Sequence, residues 1–410
     1  MNRMNRKTSL LLCIAVAGIL PACPLLADDI IQIQKEANFL GLTPPTPISI
    51  TGFTGEVDAA LKFDLTVMGF TNVPPGSARY LLSGSNSGGE VRGVLSLGGD
   101  YAKSHNGSTV RADSSGSVLF SKVYNGANIR AQAHRLSDDV VLKLTGVNGI
   151  AETRIAFKGW HGKNSEIYVA DYDGYNFMAV THDGSDAAAP CWVPGHFALY
   201  YTSYKLGNPD IFYQDLGSGQ RQNYSHFPGM NSSAAVSPDG RKVAMILSKG
   251  GSPDLYVRNA DGSGLKQLTR TPEDESSPCW SPDGKWICFA SKINEHRALY
   301  KVSVDGGPTL RIPTAGVSNP SEPDWSPDGK WIVFTSQMRN FEICVVPAQG
   351  GSATPLVSGE DPCWAPNSRT VIFVRRNGGN RVLSLLDVPT KQTKDASRAS
   401  GSDSQPSWAR

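Results

Sequence analysis

The sequence lacks the motifs that mark the common catalytic sites. It has no Gly-x-Ser-x-Gly nucleophile elbow, no His-Glu-x-x-His zinc pair and no glycine-rich phosphate loop. The segment from Gly84 to Gly88 resembles an elbow only in outline, because Asn86 stands where the nucleophile would be. The seven histidines are scattered and show no metal-binding spacing. These absences predict a protein that is not an enzyme and that needs no cofactor.

Cysteine is scarce, and its spacing indicates no pairing. Of seven cysteines, Cys13 and Cys23 lie near the N-terminus, which leaves an odd number, five, for the rest of the chain. These five lie in or next to apolar runs, so we expect small buried side chains there rather than a metal site. A Cys279–Cys288 bridge is an alternative in an oxidising compartment, although the expected hairpin register sets the two residues diagonally.

Neither charge nor hydrophobicity points to nucleic acid or to a membrane-embedded chain. The formal net charge is +2 and Lys and Arg form no run, which argues against nucleic acid as a partner. The longest apolar stretch, Leu10–Leu20, is too short for a good membrane span. It follows a basic N-terminus and precedes Ala27, so residues 1–27 are predicted to be a secretory signal peptide. A lipid-attachment box ending at Cys23 is the alternative.

What the sequence does contain is a repeated phrase. Trp280-Ser281-Pro282-Asp283-Gly284-Lys285-Trp286 returns at Trp325–Trp331 and, in weaker form, elsewhere. Pro, Asp and Gly suit successive positions of a tight turn, so the apolar runs on either side should be hairpin arms. The large residue that opens each copy recurs in steps of 44, 44, 45, 39 and 44 residues, at Trp192, Val236, Trp280, Trp325, Trp364 and Trp408. A period of about 40–45 residues is typical of a β-propeller with one four-stranded blade per repeat.

The phase of the repeat predicts how the ring closes. The series opens with a second strand, Arg154–Lys158, and ends with a first strand, Gln405–Arg410. One blade would therefore be assembled from both ends of the region, which removes exposed strand edges. The predicted fold class is mainly β, with a six-bladed β-propeller over residues 152–410 preceded by a small α/β domain.

The residues ahead of the ring do not follow the repeat. Residues 28–47 end in a Pro-rich stretch and are predicted to be a flexible N-terminal arm. Residues 48–147 alternate strand and helix patterns and form the small α/β domain. The predicted segments are a strand at Ile48–Phe53, a partly helical pattern at Glu56–Met68, and strands at Val91–Leu97, Ser108–Ala112 and Val118–Tyr124. The clearest helix runs from a capping Asn128 to Leu144, and Gly146 can end it.

Acidic residues recur close to the start of the predicted first strands. They are Asp186, Glu275, Glu322, Glu360, Asp361 and Asp403. Loops ahead of the first strands meet at one mouth of a propeller channel, so we expect a ring of carboxylates around a common opening. Such a ring would favour a cation or a basic segment of a partner. The alternative is a set of solvated loop charges, and the repeat Trp residues are expected to pack between blades.

Several phrases resemble the TolB family of the Tol–Pal envelope system. The resemblance is sharpest at Lys143–Gly146, Thr153–Phe157 and Asp171–Asn176, and the last of these is similar to the first blade of TolB. It covers residues 128–410 well, and the N-terminal domain in position and class more than in sequence. It implies a non-catalytic periplasmic scaffold that supports outer-membrane integrity and cell division. The same resemblance implies that the channel mouth binds the lipoprotein Pal and that the N-terminal arm contacts TolA.

The positions that the resemblance implies for Pal binding match unevenly. Phe227–Asn231 resembles the family's Phe-Pro-Arg-His-Asn, with two uncharged residues in place of the basic pair. Glu360 matches a family acid, Glu322 stands where the family has Asp, and Ser277 replaces a Glu. The predicted partner-binding set is Asp186, Met230, Asn231, Glu275, Glu322, Glu360, Asp361 and Asp403. Two other classes stay open: a propeller of an envelope hydrolase or lyase, and a binding protein for a cell-wall ligand with calcium in its channel.

Overall fold

The chain forms a small α/β domain followed by a ring of six antiparallel sheets. The computed structural model describes residues 43–98, 117–160, 162–292, 296–397 and 401–410. The predicted signal peptide, residues 28–42 of the predicted arm and the predicted strand at Ser108–Ala112 lie outside these residues. The fold class predicted from the sequence, mainly β with a six-bladed propeller behind an α/β domain, is confirmed.

The α/β domain is a five-stranded sheet with two helices packed against it. Its strands are β1, Thr46–Thr51; β2, Phe70–Asn72; β3, Tyr80–Ser85; β4, Val91–Leu97; and β5, Val118–Tyr124. They lie in the order β2-β1-β3-β4-β5, with β1 parallel to both neighbours and the other pairs antiparallel. The helices are α1, Gly55–Val67, and α2, Ile129–Thr145, and a 3-10 turn spans Pro75–Ser77.

Helix α2 begins and ends where the sequence predicts. The side-chain oxygen of Asn128 accepts hydrogen bonds from the backbone N–H groups of Arg130 (2.9 Å) and Ala131 (3.2 Å). Gly146 ends the helix in the left-handed region, at φ 74°, which a residue with a Cβ adopts only with strain. The sequence patterns missed β2 and β3, and β1 begins at Thr46, two residues before the predicted start of the domain.

Each blade of the propeller is a meander of four antiparallel strands, and the blades are numbered 1 to 6 in chain order. From blade 1 to blade 6 the first strands are Ser402–Trp408, Ala187–Trp192, Asn231–Val236, Glu275–Trp280, Pro320–Trp325 and Glu360–Trp364. The second strands are Arg154–Trp160, Ala198–Ser203, Lys242–Leu247, Trp286–Ser291, Trp331–Gln337 and Thr370–Asn377. The third strands are Glu166–Asp171, Asp210–Asp215, Asp254–Asn259, Ala298–Ser303, Phe341–Pro347 and Asn380–Asp387. The fourth strands are Met178–Ala179, Arg221–Ser225, Lys266–Gln267, Leu310–Ile312, Thr354–Ser358 and Thr393–Asp395. A short parallel pair, Thr314–Ala315 with Gly351–Ser352, lies beside blade 5.

The ring closes through a blade built from both ends of the propeller. Ser402–Trp408 pairs antiparallel with Arg154–Trp160, and Trp408 lies opposite Ile155. The Trp408 indole N–H donates a hydrogen bond to Thr153 Oγ1 at 2.8 Å. The closure predicted from the phase of the repeat is therefore confirmed, because the second strand of blade 1 pairs with a first strand as in the other five blades.

The repeated phrase folds into a turn whose polar side chains satisfy its backbone. Ser281 Oγ accepts from the N–H of Trp286 (2.9 Å) and donates to Asp283 Oδ1 (2.5 Å). The same carboxylate accepts from the N–H of Lys285, and Gly284 takes the left-handed conformation at φ 68°. The copy that begins at Ser326 repeats these contacts, which explains why Ser, Asp and Gly recur together.

The repeat Trp residues pack between neighbouring blades, as expected. Trp280 is only 6% exposed and lies in one apolar cluster with Ala244 and Ile246 of blade 3 and Phe289 of blade 4. Its indole N–H donates to the carbonyl oxygen of Ala235 at 2.8 Å. A Trp at this position in five of the six blades, with Val236 in blade 3, therefore packs against the sheet before it.

The five cysteines of the propeller are free and lie in or beside strands, and one of our expectations about them is wrong. They are Cys191, Cys279, Cys288, Cys344 and Cys363. Cys279 lies directly opposite Cys288 across the hairpin rather than diagonally. The reason is the hydrogen bond from the Ser281 N–H to the Trp286 carbonyl, which closes the hairpin so that Trp280 faces Ile287 and the two cysteines face each other.

A buried polar cluster joins α2 to blade 1 at the phrase Asp171–Asn176. Arg130 of α2 donates through Nε (2.9 Å) and Nη2 to Asp173 Oδ2, and Tyr172 Oη donates to Asp64 Oδ1 at 2.5 Å. His134 Nδ1 lies 2.8 Å from Asp64 Oδ2. Burial alone would lower the pKa of His134, but Asp64 and Asp173 raise it above its usual value. The two domains therefore meet through paired charges and not only through apolar packing.

Candidate functional site

The antiparallel course of the strands sorts the loops of the propeller onto two faces. The Ser-Pro-Asp-Gly turns join first to second strands and lie on one face, called here the turn face. The hairpins that join second to third strands, and the loops that lead into first strands, lie on the opposite face, called here the mouth face. The α/β domain reaches the propeller from the turn-face end, where Thr370 Oγ1 donates to the carbonyl oxygen of Val67 at 3.1 Å.

A cavity of about 770 Å³ fills the channel between the middle of the first strands and the turn face. One residue of each first strand, three positions before the large repeat residue, contributes to its wall. These residues are Gln405, Ala189, Ser233, Ser277, Glu322 and Asp361. All six have φ between +49° and +55°, and each lies where the pairing of the first strand shifts register. A β-bulge in every blade therefore aims one side chain into the channel.

The bulges have a signal in the sequence that the spacing of the Trp residues does not include. In five of the six first strands the residue after the bulge position is proline, at Pro190, Pro278, Pro323, Pro362 and Pro406. Proline has no N–H to give to the strand ladder, so a strand that contains it needs a bulge or an edge. The left-handed conformation costs on the order of 1 kcal/mol at each non-glycine residue, and six such positions indicate a constraint shared by the whole ring.

Two of the predicted carboxylates meet in the channel wall. Glu322 Oε2 accepts from Thr335 Oγ1 (2.6 Å) and from the N–H of Asp361 (3.1 Å), and Asp361 Oδ2 accepts from the N–H of Gln405 (3.0 Å). Burial raises the pKa of Asp361 to about 8, and the neighbouring Glu322 carboxylate adds to the rise. The Asp361 carboxyl is therefore mostly protonated at neutral pH, which reduces the negative charge of the channel wall.

Three other predicted carboxylates are buried in local interactions instead of facing the opening. Glu275 is 2% exposed and accepts from Thr269 Oγ1 and Thr271 Oγ1, both at 2.7 Å, and burial raises its pKa to about 7. Glu360 forms ion pairs with Arg381 (3.0 Å) and Arg376 (3.5 Å). Asp403 is buried and accepts from Ser397 Oγ at 2.8 Å. These side chains hold the loops of the mouth face in place.

The remaining predicted residues lie on the mouth face in different environments. Asp186 is exposed and accepts from the N–H and Oγ of Ser165, both at 2.9 Å, and the backbone contact lowers its pKa. Asn231 is fully buried, where its side chain accepts from the Phe227 N–H (2.9 Å) and donates to the Phe227 carbonyl (2.8 Å). Met230 is half-buried and packs against the cluster between blades 3 and 4. The structure therefore contradicts the expected ring of six carboxylates around one opening.

The charge that does recur on the mouth face is positive. Each of the six hairpins between second and third strands carries at least one Lys or Arg at or beside its tip. Going round the ring, one residue from each is Lys163, Lys205, Lys249, Lys292, Arg339 and Arg376. Their steps of 42, 44, 43, 47 and 37 residues follow the repeat, but less regularly than the Trp positions because the hairpins differ in length. We call these six residues the cation ring, and sequence analysis missed it.

The described residues contain no grouping of three or more His, Cys, Asp or Glu side chains suited to a metal ion. The channel pair of Glu322 and Asp361 supplies only two carboxylates, fewer than calcium usually takes from a protein. Over the same described ranges, neither helix has the length and apolar character required to cross a bilayer.

The fold and its channel define the class of protein: a six-bladed β-propeller, closed by its C-terminal strand, with an α/β domain at its N-terminal side. The family model described as the TolB beta propeller domain matches residues 141–410, which is well over half of the chain. The chain belongs to this family.

Comparison with individual proteins agrees with this assignment. The chain is 32% identical over 125 residues to the Tol-Pal system protein TolB of Francisella tularensis, and 39% identical over 101 residues to that of Methylobacillus flagellatus. The alignments cover 29% and 25% of this chain and 29% and 23% of those proteins, so each spans less than a third of its relative. The crystal structure of TolB from Acinetobacter baumannii superposes with a TM-score of 0.76 at 22% identity, covering 90% of this chain and 97% of that one. This last similarity shows the shared fold of both domains.

Proposed function

We propose that the chain is a non-catalytic protein-binding scaffold of the Tol–Pal system in the periplasm, binding Pal at the mouth of the propeller. The observation that carries the proposal is that residues 141–410 match the model of the TolB beta propeller domain. The name of the sequence relatives, Tol-Pal system protein TolB, supports the same role. TolA is proposed to contact the N-terminal arm, residues 28–47, as the family resemblance implies.

In this proposal the eight predicted partner-binding residues act in three ways. Met230 and Asp186 lie on the mouth face, where they are accessible to a partner. The buried side chains of Asn231, Glu275, Glu360 and Asp403 fix the shape of the mouth loops. Glu322 and Asp361 lie in the channel wall, accessible to any segment that enters the channel.

The proposal is tested with the full mature chain and the soluble domain of Pal from the same organism, by isothermal titration calorimetry. Pal should bind with one-to-one stoichiometry. The variant Met230→Asp places a charge in a half-buried apolar position of the mouth and should weaken binding at least tenfold. The control is Trp331→Asp on the second strand of blade 5, also half-buried but at its turn-face end. Absence of binding to the unmodified chain would refute the proposal, and equal losses in both variants would remove the mouth from it.

A second candidate function is binding of a small ligand in the channel. The cavity of about 770 Å³ falls within the range of ligand-binding pockets, and the channel wall presents the Glu322–Asp361 pair. This is the observation that keeps a cell-wall ligand, or a cation such as calcium, as an alternative. Calorimetric titration with calcium, and with muropeptides, would support this candidate if heat is released and if Asp361→Asn removes it.

A further inference from the structure

We propose that the mouth face recognises an acidic protein surface that carries exposed apolar side chains. The proposal rests on the function proposed above, since it takes Pal as the partner, and it specifies the chemistry that Pal must present. It reverses the expectation from the sequence, in which carboxylates around the mouth would select a basic partner.

The charge of the mouth face is the first feature that points to an acidic partner. Several of its carboxylates are paired: Glu360 with two arginines, and Asp183 with Lys205 (2.9 Å) and Arg221 (2.6 Å). Asp186 and Asp274 are exposed and lie in the loops of blades 2 and 4. The cation ring, by contrast, contributes one positive side chain from every blade, and its members at Lys163, Lys249 and Arg339 are exposed. Positive charge spread around a ring produces a field that attracts acidic surfaces and repels basic ones.

Several cations of the mouth are held over aromatic rings. Lys249 Nζ lies 4.3 Å from the ring centre of Phe227, and the Arg376 guanidinium lies 5.4 Å from that of Phe341. Lys158 Nζ lies 5.4 Å from the Trp160 ring. Contacts of this kind limit the motion of long side chains, so less entropy is lost when a partner binds.

Large apolar side chains are exposed beside the cations. Trp160 is 41% exposed, Tyr204 46%, Leu206 54% and Met338 53%, and all four lie in the mouth-face hairpins of blades 1, 2 and 5. Trp, Tyr and Arg are the residues that most often dominate the free energy of protein–protein binding. Basic side chains around the rim, with apolar side chains beside them on three of its six hairpins, fit an acidic surface with apolar side chains of its own.

An anionic membrane surface shares part of this chemistry, but the distribution of the side chains favours a protein. The exposed apolar residues are single side chains on separate hairpins, divided by cations, rather than one continuous face that could enter a bilayer. Blades 3, 4 and 6 offer none of the large exposed apolar residues at their described hairpin tips. The apolar contacts are therefore confined to part of the rim, as expected for a shaped partner.

The test compares two triple variants of the full mature chain that change the net charge equally. In the mouth variant, Lys163, Lys249 and Arg339 are replaced by Glu, and in the turn-face variant Arg241, Lys285 and Lys330 are replaced by Glu. All six residues are exposed, so both variants should fold. Binding of the soluble Pal domain is measured by calorimetry at 50 and 500 mM NaCl.

The mouth variant should weaken Pal binding at least tenfold at low salt and reduce the salt dependence of the affinity, because fewer opposite charges then meet. The turn-face variant should stay within about twofold of the unmodified chain. The single variant Trp160→Ser should also weaken binding, without changing the salt dependence. These results together would support the proposal.

Two outcomes would overturn the inference and leave the proposed function intact. One is that Pal binds the mouth variant and the unmodified chain equally well. The other is that the mouth variant loses binding to phosphatidylglycerol vesicles but not to Pal, which would assign the cations to a lipid surface. Failure of Pal to bind even the unmodified chain would instead reject the proposed function, and the inference with it.

Discussion

Both faces of the propeller carry many charged side chains, but the two faces hold them differently. On the turn face, Asp283 caps its own turn, and Asp173 is buried against Arg130 of the α/β domain. On the mouth face, the members of the cation ring at Lys163, Lys249 and Arg339 extend into solvent. These turn-face carboxylates therefore serve the fold, whereas these mouth-face cations are available for association.

The same contrast applies to tryptophan. Trp280 lies near the turn-face end of its strand, 6% exposed and hydrogen-bonded to the blade before it. Trp160 lies at the mouth-face end of its strand, 41% exposed, with Lys158 over its ring. If the two faces divide stability and binding between them, substitutions at matched residues should separate the two properties.

The largest difference is expected between these two tryptophans. Trp280→Ala should lower the free energy of unfolding by about 3–5 kcal/mol, because it removes a buried aromatic side chain from the contact between blades 3 and 4. Trp160→Ala should change it by less than about 1 kcal/mol, since the side chain is already half in water. Urea denaturation followed by tryptophan fluorescence and circular dichroism measures both. Similar losses of stability in the two variants would contradict the proposed difference between the two faces.

The next effect concerns the buried charges at the domain contact. Arg130→Met keeps the length of the side chain but leaves the buried Asp173 carboxylate without its guanidinium, so we expect a loss of about 3 kcal/mol. Arg241→Met, an exposed change in a turn of blade 3, is the control and should cost less than about 0.5 kcal/mol. The measurement is urea denaturation at pH 7. A loss in Arg130→Met no larger than the control would show that the ion pair contributes nothing net to the contact.

The propeller fold could be predicted from the sequence because residues close together within each repeat determine its turns and strands. Pro282, Asp283 and Gly284 determine a turn by their own backbone preferences, and the period between Trp residues then gives the number of blades. Strands β2 and β3 were missed because β2 has only three residues and β3, Tyr80–Ser85, has apolar residues at one end only. Their pairing depends on β1, more than 20 residues away along the chain.

The partner-binding site could not be predicted in the same way, because the exposure of a charged side chain depends on partners that are distant in sequence. Glu360 was predicted to face the opening of the channel, but Arg381, from the third strand of its own blade, forms an ion pair with it. The sequence pattern did not indicate the cation ring for a related reason. Its members lie at hairpin tips, and the varying hairpin lengths remove any fixed offset from the Trp positions.

A moderate loss of stability is expected when the Ser281 hydroxyl, which hydrogen-bonds within the repeated turn, is removed. Ser281→Ala removes the acceptor for the Trp286 N–H and the donor to Asp283, in a position that is 2% exposed. The expected loss is about 1–2 kcal/mol, the cost of leaving a buried N–H without a partner. The control is Ser263→Ala, whose hydroxyl makes a similar contact to Asp261 in an exposed turn. Equal changes in urea denaturation would mean that burial of the turn does not matter.

The smallest effect is expected in the channel wall between the two faces, and it appears as a change in pH dependence. The pKa of Asp361 is about 8 in the folded protein and close to 3.8 when the chain is unfolded. Between these values the folded protein holds a proton that the unfolded chain releases, so the free energy of unfolding should fall as the pH rises from 4 to 8.

Asp361→Asn should make this fall shallower, and asparagine tolerates the positive φ at this position. The effect on stability at pH 7 is small, because the protonated carboxyl and the carboxamide are both uncharged there and either can accept the hydrogen bond from the Gln405 N–H. Urea denaturation at pH 5, 6.5 and 8 measures the slope, with the exposed mouth-face change Asp274→Asn as the control. If Asp361→Asn and the unmodified chain show the same slope, Asp361 is ionised at neutral pH and adds its negative charge to the channel wall beneath the cation ring.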